Sequence, residues 1–125
     1  MKRLLLSLVV LLSGVSVWAS VPRAEHPRPQ FERENWKNLN GTWAFEIDKS
    51  ASGEFRGLIE AETLSDTITV PFCPESRLSG VGHTDFMNCV WYKKTITLSQ
   101  EELSGNRVLF HIGACDYETK VWING

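Results

Sequence analysis

Residues 40–48 read NGTWAFEID, an Asn-Gly turn signal followed by strict alternation that puts Trp43, Phe45 and Ile47 on one side of an extended chain. Side chains of a strand point alternately to opposite faces, so this period predicts a half-buried strand and not a helix. The start of the strand has its own reason, because Asn tolerates and Gly freely adopts the left-handed backbone of a tight turn. The triplet Asn40-Gly41-Thr42 also has the form of a glycosylation acceptor, but the turn explains it fully.

Working toward the C terminus, residues 49–65 are polar, contain Gly53 and Gly57, and read as a short strand or an irregular loop. Thr67 to Phe72 is rich in β-branched residues and reads as a strand ended by Pro71 and Pro74, since proline cannot donate to a ladder. A long loop rich in Ser, Gly and Asp runs from Cys73 to Asn88, and a loop of that length is either mobile or functional. Cys89 to Leu98 then predicts a long strand. Ser99, with Glu102 three residues later, predicts a helical turn opened by a hydroxyl cap. Arg107–Ile112 and Tyr117–Ile123 complete the run of strands. The last stretch, YETKVWING, ends in Asn124-Gly125, the strongest short hairpin signal, so a second antiparallel strand is expected beyond Gly125 and the chain reads as truncated. Strands separated by turns, with almost no helical period, place the chain in the all-β class as an incomplete β-sandwich or jelly roll.

Toward the N terminus, residues 20–35 carry Pro22, Pro27 and Pro29 and read as an extended lead-in lying across the domain surface. Before it, Met1-Lys2-Arg3 and the apolar run Leu4–Leu12, interrupted by Ser7, have the layout of a secretory signal peptide, with Val17 and Ala19 at the small-residue positions of a cleavage site after Ala19. The run is shorter than the roughly 20 apolar residues a membrane-spanning helix needs. The expected organisation is therefore a signal peptide over 1–19, a lead-in over 20–35 and one domain over 36–125, in a periplasmic or secreted protein. Removing 19 of 125 residues leaves 106, enough for one small domain. Taking Lys2 and Arg3 from 13 basic residues against 15 acidic ones leaves a net charge of −4, which attracts no nucleic acid.

Direct signs of chemistry are few. Hydrolysis by paired carboxylates needs two of them flanking the scissile bond, and no such pair is readable. Glu101 and Glu102 suit a helix start, and Asp116 and Glu118 suit a bend. Nucleophile elbows, phosphate-binding loops, dinucleotide fingerprints and H-E-x-x-H are absent. His83 and Asp85 in HTDF are too few for a metal site, so neither metal nor cofactor is expected. Cys73, Cys89 and Cys115 lie in separate segments and read as reduced, half-buried side chains, with one pair and a free thiol as the alternative. Trp36, Trp43, Trp91 and Trp122, with Tyr92 and Tyr117, read as core or domain contacts ahead of sugar-stacking platforms.

Three segments in this order, PRPQFERENWKNLNGTWAF, ITVPFCPESRLSGVG with VWYKKTITL, and RVLFHIGACDYETKVWING, resemble the start of glycoside hydrolase family 2 proteins, which include β-galactosidases, β-glucuronidases and β-mannosidases. The resemblance covers residues 27 to 125. It implies a jelly-roll, galactose-binding-like sugar-binding domain. In a complete member that domain is followed by an immunoglobulin-like sandwich and a TIM barrel carrying two glutamates of a retaining mechanism. It also implies that the Cys73–Asn88 loop reaches the rim of the active site, which makes Glu75, His83 and Asp85 the candidate substrate-binding residues. The implied partners are a β-glycoside ligand and the later domains of the same protein. On the same scaffold, the alternative function is a non-catalytic carbohydrate-binding or adhesion module.

Overall fold

The structure is a computed structural model that describes residues 20–125. The expected signal peptide lies outside the described residues. Among the described residues no helix is long and apolar enough to cross a membrane. Regular structure consists of three strands, β1 (Gly41–Asp48), β2 (Asp66–Val70) and β3 (Cys89–Lys93), one short helix, α1 (Gln100–Leu103), and two single 3-10 turns at Pro29–Phe31 and Arg77–Ser79. The strands form one open antiparallel sheet in the order β2-β1-β3. That is consistent with the all-β class.

Pairing register assigns the two faces. Thr42 lies opposite Thr69 and Trp43 opposite Ile68, while Phe45 faces Tyr92 and Glu46 faces Trp91. Directly opposed residues share a face, so Trp43, Phe45, Ile47, Ile68, Val90 and Tyr92 form one apolar side. Phe45 and Ile68 are each 1% exposed, and the Phe45 and Tyr92 rings meet edge to face at 5.2 Å. The remaining buried apolar residues, Leu58 and Leu64, come from the polar-looking stretch between β1 and β2.

The other side carries Ala44, Glu46, Asp48, Trp91 and Lys93, and a loop straps across it. The loop coils through backbone hydrogen bonds from Arg56 to Ser52, from Leu58 to Gly53 and from Ala61 to Gly57. The Lys93 ammonium donates to the carbonyls of Ile59 and Ala61, Arg56 pairs with Glu46 at 2.6 Å, and Gly53 lies beneath Trp91. One face of the sheet is thus apolar, and the other is braced by polar, charge-assisted contacts from the loop.

Several element boundaries differ from the sequence reading, for physical reasons. β2 stops at Val70 because Pro71 has no N–H to add to the ladder. β3 stops at Lys93, beyond which the Lys94 ammonium takes the Thr42 carbonyl at 2.9 Å and lies 5.6 Å from the Trp43 ring centre. Arg107–Ile112 and Tyr117–Ile123 form no strand, because no strand lies alongside either segment. Among the described residues, no backbone–backbone hydrogen bond involves a residue beyond Ser104, and Val108, Phe110, Val121 and Ile123 stay largely exposed.

The turn chemistry matches expectation more closely. The Asn40 amide donates to the carbonyls of Pro22 at 3.0 Å and Arg23 at 3.2 Å, pinning the lead-in to the start of β1 and occupying the nitrogen a glycan would need. Asn124 and Gly125 have φ of 61° and 93°, the left-handed backbone that a type I′ turn requires at both central residues. Helix α1 carries a complete capping box. Glu102 N donates to Ser99 Oγ at 3.1 Å, and Ser99 N donates to the Glu102 carboxylate at 2.6 Å.

The Ser99 N–H, with Lys37 at 3.0 Å and the Ser99 hydroxyl, holds the Glu102 carboxyl down at about 2. A carboxyl depressed on folding contributes fully above its unfolded value of roughly 4.3. Its contribution is lost as pH falls through the folded value. A carbon-detected NMR titration of Glu102 is therefore expected to show a midpoint near 2, and a midpoint in the ordinary carboxylate range contradicts the observed cap.

Candidate functional site

The loop between β2 and β3 carries the three residues singled out from sequence. It is built from its own hydrogen bonds. Ser76 caps the Arg77–Ser79 turn through Leu78 N at 3.2 Å, Ser79 Oγ donates to the Ser76 carbonyl at 2.7 Å, and Val81 N donates to Ser79 Oγ at 3.0 Å. His83 N then reaches back to the Pro74 carbonyl at 2.9 Å, closing the loop on itself. Gly80 and Gly82 take the left-handed conformations this path requires, at φ of 84° and 62°.

Within that frame Glu75 and Asp85 are exposed and His83 is half-buried. No hydrogen bond or ion pair among the described residues joins the three side chains. His83 Nε2 is enclosed without a hydrogen-bond partner, a situation that costs about 1–3 kcal/mol when it persists. Glu75 lies close enough to Tyr92 to act on it electrostatically. Burial pushes the Tyr92 hydroxyl up to about 12, and Cys115, Glu75 and Cys73 add to the shift. No group of three or more His, Cys, Asp or Glu residues among the described residues could hold a metal ion. All three cysteines are unpaired, and burial pushes the Cys89 thiol up, so it behaves as a small apolar side chain.

The tightest polar cluster is one the sequence did not mark. Asp48 closes β1 and is 2% exposed. Its carboxylate accepts Gly53 N at 2.6 Å and Trp91 Nε1 at 3.1 Å, and Arg56 Nη2 lies 3.4 Å away. Burial alone raises such a carboxyl, but the N–H groups of Ser52, Trp91 and Gly53 and the Arg56 charge outweigh it and hold Asp48 below the usual range. Glu46 and Asp48 are therefore two carboxylates clamped by one guanidinium. Both Asp48 oxygens are engaged, so the cluster ties the loop to the end of β1.

A shallow groove of about 500 Å³ lies between the lead-in and the end of β2, lined by Arg23, Glu25, His26, Pro29, Pro71 and Phe72. Its charges neutralise each other, since Arg23 Nε pairs with Glu25 at 2.5 Å, and His26 packs edge-on against Trp36 at 4.6 Å. The described residues thus provide an open three-stranded sheet and a loop braced by its own hydrogen bonds.

No protein-family model matches the chain. It is 31% identical over 109 residues to beta-glucuronidase of Felis catus, 31% identical over 110 residues to that of Canis lupus familiaris, and 30% identical over 102 residues to that of Paenibacillus borealis. These matches cover 80%, 80% and 79% of this chain but 17%, 17% and 16% of the relatives, so the chain spans about a sixth of their length. The β-rich fold and the partial, distant similarity together mark a glycosidase-related domain. The particular proteins it is similar to are beta-glucuronidases, from two mammals and a bacterium.

Proposed function

We propose that residues 36–125 are the N-terminal sugar-binding domain of a secreted glycoside hydrolase family 2 enzyme that hydrolyses O-glycosyl bonds in carbohydrate metabolism. The catalytic barrel belongs to another part of the same protein. The observation that carries this reading is the similarity to beta-glucuronidases, which runs through most of this chain yet takes up only 17% of the feline protein.

In this reading the three-stranded sheet is part of a jelly roll. The Cys73–Asn88 loop reaches toward a sugar site at the rim of the barrel, with Glu75, His83 and Asp85 as its polar contacts. The unpartnered His83 Nε2 supports a role for this loop in contacts outside the described residues.

The test compares the 125-residue chain with its parent protein on aryl β-glucuronide, β-galactoside and β-mannoside. The chain alone is expected to hydrolyse none of them, and the parent to hydrolyse one with retention of anomeric configuration, read by proton NMR. Turnover by the chain alone, or no turnover by the parent on any of them, contradicts the proposal.

A further inference from the structure

The segment after α1 is held to the rest of the protein without a backbone ladder. Two side-chain contacts fasten its last nine residues. The Trp122 ring stacks on Trp91 at 5.3 Å with 23° between planes, and Lys120 Nζ meets Glu54 Oε1 at 2.9 Å. The ion pair is exposed on both sides, and pairs of that kind contribute little. The stack is the stronger fastening, because it shields part of two large aromatic surfaces from water.

A stack of this kind works only if Trp91 presents its face to Trp122. The indole is fixed from two directions. Its Nε1 donates to the buried Asp48 carboxylate at 3.1 Å, and a side chain at Gly53 would meet the ring at 2.3 Å, so the ring lies flat against bare backbone. The same carboxylate takes Gly53 N at 2.6 Å. One group therefore sets both the indole and the surface beneath it.

We propose that Asp48 is a positioning residue that acts through Trp91, and that the Asp48–Trp91–Trp122 chain of contacts is the latch that docks residues 117–125 on the sheet. Loss of the carboxylate frees the indole, and the segment leaves although Trp122 itself is unchanged. Docking holds Trp122, two residues before the Asn124-Gly125 turn, on the Trp91 face of the sheet. The latch operates independently of any sugar-binding role.

The test uses the 125-residue chain and two readouts. Circular dichroism in the Trp region reports the coupling of stacked indoles, and the rate of tryptic cleavage after Lys120, compared with cleavage after Lys93 inside β3, separates local undocking from opening of the sheet. Trp122→Ala defines the undocked signal. Asp48→Ala is expected to lose the coupling and to speed cleavage after Lys120 by about tenfold or more, as loss of a hydrogen bond to a buried charge predicts for a local opening, with Lys93 still protected. Glu54→Gln is expected to change either readout little. Should Asp48→Ala fail to fold, Trp91→Phe removes the donor and keeps a ring, and it is expected to speed the same cleavage. Unchanged coupling and unchanged Lys120 cleavage in Asp48→Ala, or unchanged cleavage in Trp91→Phe, overturn the latch.

Discussion

Replacing Asp48 with alanine is expected to cost about 3 kcal/mol, the largest loss of any polar substitution in the described sheet. The carboxylate is 2% exposed and receives Gly53 N and Trp91 Nε1. Hydrogen bonds to a charged group contribute roughly 1.5–3 kcal/mol each, and a donor left unsatisfied in a buried site adds its own penalty. The Arg56 contact adds less, because that side chain is 41% exposed and water screens the pair. Urea denaturation should show the midpoint falling by about 1–3 M at unchanged slope. Glu46→Ala removes only a contact with the same arginine and should fall well short of this. Equal losses for the two variants would contradict the role assigned to Asp48. The effect also carries a pH signature. A carboxyl depressed on folding stabilises above its unfolded value of roughly 3.9, and that contribution disappears as pH falls through the folded value. Asp48→Ala should therefore lose part of the acid sensitivity of the parent chain.

Gly53→Ala is expected to be nearly as damaging, at about 3 kcal/mol. The reason is contact and not backbone conformation. A Cβ at Gly53 would lie 2.3 Å from Trp91 Nε1 and Cε2, and Trp91 cannot retreat without giving up Asp48. Gly57→Ala is the contrasting case. Its φ is +75°, but the nearest atom to a new Cβ is a flexible Glu60 oxygen at 3.8 Å, so only the left-handed backbone matters and the cost is about 1 kcal/mol. Thermal or urea unfolding of both variants should separate them clearly. In the Asp48→Ala background Trp91 is already free to move, so the two large losses should add to less than their sum. Full additivity would mean that Trp91 does not connect them.

Local signals in the sequence were informative wherever they were complete in themselves. The alternation in Thr42–Asp48 specifies β1 because one strand face must be buried, and Ser99 with Glu102 specifies the capping box because both partners lie within one turn. Non-local features were hidden. Leu58 and Leu64 sit in a stretch that reads as polar, and their burial depends on the loop folding back across the sheet. Asp48 falls on the polar parity of β1, and period alone cannot show that Arg56, Gly53 and Trp91 will enclose it. The strand-like patterns at Arg107–Ile112 and Tyr117–Ile123 are real in sequence, but a ladder needs a neighbour that the described residues do not supply. Glu75, His83 and Asp85 are candidates through what the family resemblance implies for their loop. The loop is indeed braced from within, yet its hydrogen bonds do not bring those three side chains together.

The proposed function places the catalytic machinery of a glycoside hydrolase further along the same protein. The most direct measurement is the sequence of the locus beyond the codon for Gly125. The expected result is a continuation that pairs with Tyr117–Ile123 across the Asn124-Gly125 turn and leads through a second β-sandwich into a barrel with two glutamates at strand ends. A genuine stop at that point, or an unrelated module after it, would contradict the enzyme reading and leave a binding domain alone.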